Sequence, residues 1–91
     1  QDLIRIAMPQ MTQEKREQLV KVLHEKEEHA RISVRNERED ALKDLQRIFK
    51  DKVISEDDWF RGKDEIQKIV DGYNDKIKQS TEAKEKEIMT L

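Results

Sequence analysis

The sequence predicts an all-α fold: a long antiparallel helical hairpin forming two helices of a three-helix bundle, the third helix missing or supplied by another chain. Three observations carry this expectation. From Gln13 onward neither Pro nor Gly appears until Gly62, so no breaker residue stands inside a helix over about 13–50. Apolar residues recur at helical spacing in two segments of similar length. Charged residues make up 44% of the 91-residue chain and hydrophobic ones 34%, the profile of long helices rich in Ala, Glu, Lys, Leu and Arg.

Taken in order, residues 3–8, "LIRIAM", read as a short strand stopped by Pro9. A lone strand cannot satisfy its own backbone. Residues 1–11 are therefore expected to be a linker carrying the torn edge of an absent sheet. The first residue is Gln, and a fragment of a longer protein is expected. Residues 12–91 form one helical bundle domain. Thr12 offers an N-cap, and Glu14 suits the positive end of the helix dipole. A helix over about 13–50, roughly 55 Å long, carries Leu19, Leu23, Ala30, Val34, Ala41, Leu45 and Ile48 within about 80° of one another. Only at "HEKEEH", residues 24–29, does that stripe thin.

The segment "KDKVISEDDW" breaks the pattern. Ser55 followed three residues later by Asp58 resembles a capping box, so a second helix is expected over about 56–89. Its stripe reads Trp59, Lys63, Ile66, Val70, Tyr73, Ile77, Ser80 or Thr81, Lys84 and Ile88, alternating four and three as in a supercoiled seam. Gly62 and Gly72 fall off it. Two such helices joined by about five residues fold back on each other. Leu42 and Phe49 on the first helix and Ile69 on the second lie at the flanks of their stripes and call for a third helix. A domain this small buries only about 60% of its unfolded surface, so a partner helix or a homo-oligomer is expected.

Several functions are excluded. Without cysteine there are no disulfides and no thiolate metal sites. No apolar run is long enough to span a membrane, and "QDLIRIAMPQ" lacks the basic start and apolar core of a signal peptide. A soluble, cytoplasmic protein is the expectation. His24 and His29 stand about 140° apart around a helix and cannot hold a metal as an i, i+4 pair would. Neither a Gly-rich phosphate loop nor a nucleophile motif is present, and the carboxylates sit in solvated patterns such as "EAKEKE". No enzyme, cofactor or metal is expected.

The arginines of "ARISVRNERED", residues 30–40, are the candidate site. Arg31, Arg35 and Arg38 are spaced four and three, which puts them on one side of the rod. Measured from Val34, Arg38 lies near 40°, Arg31 near 60° and Arg35 near 100°. Their stems can lie against the core. Guanidinium forks suit phosphates and base edges, but they also suit neighbouring acids. Glu27 with Arg31, Glu28 with Arg31 and Arg35 with Glu39 would make an ion-pair lattice. A structural coiled-coil or helical-bundle module with no RNA role is thus the alternative to RNA binding. Ile32 points away from the core. Trp59 and Phe60 are expected to seal the end of the bundle.

The stretches "IRIAMPQMTQEKREQLVK", "ARISVRNERED", "ISEDD" and "AKEKEIM", in this order and at these intervals, resemble the C-terminal half of the bacterial ribosome recycling factor. The resemblance covers essentially the whole chain. It implies two helices of a three-helix bundle whose first helix precedes an inserted α/β domain, with "LIRIAM" as the exit from that domain. It further implies binding to large ribosomal subunit rRNA through the arginine-rich helix. In the family, dissociation of post-termination ribosomes occurs together with elongation factor G, and the factor is not an enzyme. Carried over by motif, Arg31, Arg35, Asn36 and Arg38 match the rRNA-facing pattern. The chain departs from that pattern at Glu39, where the family usually has arginine, and at Leu42, where it usually has asparagine; both weaken the basic patch. Glu37 replaces a common aliphatic and Ala7 a common proline.

Overall fold

The computed structural model describes residues 11–91; the strand expected over residues 3–8 and the stop at Pro9 lie outside them. The described residues form two helices, α1 (Gln13–Lys50) and α2 (Glu56–Thr90), within a residue of the expected spans. They pack antiparallel as a rod of 72 × 18 × 16 Å.

Each helix starts where the sequence places a cap. Thr12 Oγ1 accepts from the Lys15 N–H at 3.1 Å, and Ser55 Oγ accepts from the Asp58 N–H at 3.1 Å. These bonds satisfy N–H groups that have no partner inside the helix. Asp58 does not return the bond to Ser55; its carboxylate lies 3.6 Å from Arg61. The end of α1 is closed by paired bonds from Lys52 N–H to Phe49 O and from Val53 N–H to Ile48 O, a Schellman arrangement. It requires a left-handed residue after the cap, and Lys52 adopts φ 60° there. At the other end of the rod, α2 has no basic residue in its last turn. Arg16 of α1 supplies one across the seam, its Nη1 donating to the Met89 carbonyl at 2.9 Å. A cation is favourable at that negative end of the helix dipole.

The seam differs from the expected stripes by one residue at several places. On α1, Leu19 is 40% exposed and Val20 turns inward, while Arg16, Glu27, Arg31 and Arg38 join the half-buried row. On α2, Gly62, Asn74 and Glu85 are half-buried, and Lys63, Tyr73 and Lys84 are exposed. Gly62 is therefore on the seam rather than off it. A Cβ there would stand 2.9 Å and 3.1 Å from the two methyls of Leu45, so glycine lets the helices approach. Gly72 does fall off the seam, with nothing within 4 Å of such a Cβ.

The loop end is sealed by aromatics. Phe49 and Trp59 stack with centroids 5.1 Å apart, Phe60 meets Trp59 edge-on at 4.9 Å, and Lys63 Nζ lies 4.5 Å above the Trp59 ring. Phe60 itself stays half in solvent, 51% exposed. Elsewhere the core is thin: among the described residues only Val70 and Thr81 are buried. An open groove runs beside the seam, with Ser33, Glu37 and Ala41 of α1 and Ile66, Ile69 and Tyr73 of α2 in its lining; Val34, Arg38 and Val70 on the seam also border it. In it Ile69 and Tyr73 are 57% and 55% exposed.

The expected flanks thus fall on different sides. Ile69 borders the open groove. Leu42 and Phe49 follow Arg35 at steps of seven, in the row on the opposite side of α1. Both are half-buried, Phe49 under Trp59.

Candidate nucleic-acid interface

On that opposite side the two helices enclose a shallow cleft lined by Arg31, Val34, Arg35 and Arg38 from α1 and by Val70 and Asn74 from α2. The four-and-three spacing on an unbroken helix brings the three arginine side chains to the lining of one cleft. Val34 and Val70 form an apolar floor that aliphatic stems can lie along. Glu37, although next to Arg38 in sequence, lines the opposite groove and leaves this face.

The three arginines differ in how much of their charge is committed. Arg31 Nη2 lies 3.5 Å from Glu27 Oε2, as the lattice of i, i+4 pairs anticipates. Arg38 Nη2 lies 3.5 Å from Glu39 Oε1, a partner the sequence assigned to Arg35. Arg31 does not reach Glu28, and Arg35 does not reach Glu39. Arg35 is exposed and enters no ion pair or hydrogen bond among the described residues. Both pairs that do form are long and open to solvent on the arginine side, and such contacts stabilise by only a few tenths of a kcal/mol.

Asn36 is not brought into the cleft. It is exposed and shares the outward face of α1 with Ile32, one turn earlier and 39% exposed. Asn74, by contrast, lines the cleft without having been expected there. Its Oδ1 is enclosed and has no hydrogen-bond partner, and the same is true of Arg38 Nε. The signal that could have found it is the run Gly62, Ile66, Val70, Asn74 at steps of four.

Elsewhere, His24 bridges the helices, with Nδ1 3.4 Å from Glu27 and Nε2 3.5 Å from Glu85. Among the described residues no group of three or more His, Asp or Glu side chains is arranged to hold a metal ion. No helix among them is long and apolar enough to cross a membrane.

A family model described as ribosome recycling factor matches residues 1–89. The ribosome-recycling factor of Natranaerobius thermophilus is 50% identical over 89 residues, covering 98% of this chain and 48% of that protein. That of Halothermothrix orenii is 49% identical over 90 residues, covering 99% of this chain and 49% of the relative. The Cupriavidus necator protein of the same name is 47% identical over 90 residues, with 99% and 48% covered. The chain spans about half the length of the curated relatives it matches.

Proposed function

Because this chain belongs to the ribosome recycling factor family, we propose that the cleft side of α1 binds rRNA of the large ribosomal subunit. Arg35 and Arg38 make the principal contacts to phosphates or base edges, Arg31 flanks them, and Asn36 reaches the RNA from the outward face. The observation that carries this reading is the state of Arg35: an exposed arginine on the cleft with no acid committed to it among the described residues, beside two arginines held by weak pairs. Residues 12–91 act as the bundle domain, with residues 1–11 leading out of an inserted α/β domain. The open groove beside Ile69 and Tyr73 seats the third helix. In the whole protein this domain works with elongation factor G to dissociate post-termination ribosomes and does no covalent chemistry itself.

A second reading, a helical-bundle module with no RNA role, draws on the Glu27–Arg31 pair. Co-sedimentation with purified large ribosomal subunits separates the two. The chain pellets with the subunits, and the Arg35→Glu/Arg38→Glu variant does not, while its far-UV circular dichroism is unchanged. A variant that loses helicity and binds as before contradicts the rRNA reading and supports the second.

A further inference from the structure

Asn74 sits at a seam position between Val70 and Ile77, where an apolar side chain would be the simpler choice. Its Oδ1 is enclosed and lacks a donor, while Arg38 Nε, bordering the same cleft from α1, is enclosed and lacks an acceptor. Each of these groups is costly when left alone in a desolvated site. They are also complementary, one acceptor and one donor on facing helices.

We infer that Asn74 is a positioning residue for Arg38, an inference that rests on the proposed binding of rRNA by this face. A side-chain rotation lets Asn74 Oδ1 accept from the Arg38 Nε–H, which fixes the guanidinium plane and leaves Nη1 and Nη2 directed out of the cleft. In the free chain, Arg38 Nη2 leans toward Glu39 Oε1 at 3.5 Å. When a phosphate displaces that weak pair, the two Nη groups can engage two oxygens together. The Nε–H is then the one donor that RNA does not reach. Asn74 satisfies it from inside and reduces the freedom the long stem would otherwise lose on binding. A neutral amide suits this task because a carboxylate at the same place would draw the guanidinium inward and cancel the charge offered to RNA.

The test measures affinity for purified large ribosomal subunits over a range of salt concentrations for the wild-type chain, Asn74→Leu, Arg38→Met and the double variant. Asn74→Leu should change Tm little, since it removes an enclosed acceptor from the seam but also the partner that Arg38 Nε–H would otherwise find. It should nevertheless bind about three- to tenfold more weakly, the worth of one hydrogen bond, with its salt slope falling toward that of Arg38→Met. The double variant should bind no more weakly than Arg38→Met alone, because Asn74 acts through Arg38. Asn74→Asp, folded to the same extent, should also bind more weakly than wild type. Wild-type affinity in Asn74→Leu, or losses that add in the double variant, would overturn the inference while leaving the rRNA reading intact. A wild-type chain that does not bind even when fully helical, with a peptide of the first bundle helix supplied, or an Arg38→Met variant that then binds as wild type does, would remove the rRNA reading itself.

Discussion

Arg35 and Gly62 illustrate what single positions contribute here and how far each could be read in advance. The arginine row was legible because azimuth on an unbroken helix follows from residue number alone; the structure places Arg31, Arg35 and Arg38 on one cleft as the spacing requires. Which acid each arginine meets was not legible, since Glu39 lies within reach of both Arg35 and Arg38 and only rotamers decide. Gly62 and Asn74 were missed for a different reason. A repeat alternating four and three leaves a one-residue choice at each step, and at 62/63 and 73/74 the larger neighbour, Lys63 or Tyr73, looked the better seam residue. The glycines provide a direct check. Gly72→Ala should stabilise the chain by about 0.5–1 kcal/mol, the helix-propensity difference. Gly62→Ala should gain clearly less than that or be destabilising, because the new methyl meets Leu45. Thermal melts of the two variants read the difference, and equal gains would show that Gly62 is not a close-approach residue.

The helices themselves were the most legible elements. Their starts follow from Thr12 and Ser55, residues whose side-chain oxygens satisfy free backbone donors, and their lengths from the absence of breakers across two periodic stretches. What sequence did not disclose is how α1 ends. The Schellman closure ordinarily announces itself by glycine, and here Lys52 takes the left-handed position. A side chain in that conformation costs about 1 kcal/mol, which the two closing hydrogen bonds offset. Lys52→Gly should therefore raise stability by about 0.5–1 kcal/mol without moving the helix boundary. Chemical denaturation checks this through the midpoint at constant m-value; a loss of stability would mean that the lysine side chain has a local role that outweighs its backbone strain.

At the scale of the molecule, the uncovered flank of the hairpin was legible at Ile69 but not its extent. Leu42 and Phe49 were grouped with it, yet they lie on the arginine side, where Trp59 stacks on Phe49. That stacking depends on how the loop folds back, which helical periodicity does not encode. With only Val70 and Thr81 buried among the described residues and a groove open beside Ile69 and Tyr73, the two helices have little core to hold them together. Helicity of this chain should rise with its own concentration, or on adding a peptide of the family's first bundle helix. Sedimentation showing a fully helical monomer at micromolar concentration would contradict this. The role proposed for the rod rests on its arginine face, and the most direct test is how large-subunit binding depends on salt. If three guanidinium groups neutralise rRNA phosphates, the logarithm of the association constant should fall against the logarithm of salt concentration with a slope of roughly −2 to −3. A slope near zero would contradict direct contact between this face and rRNA.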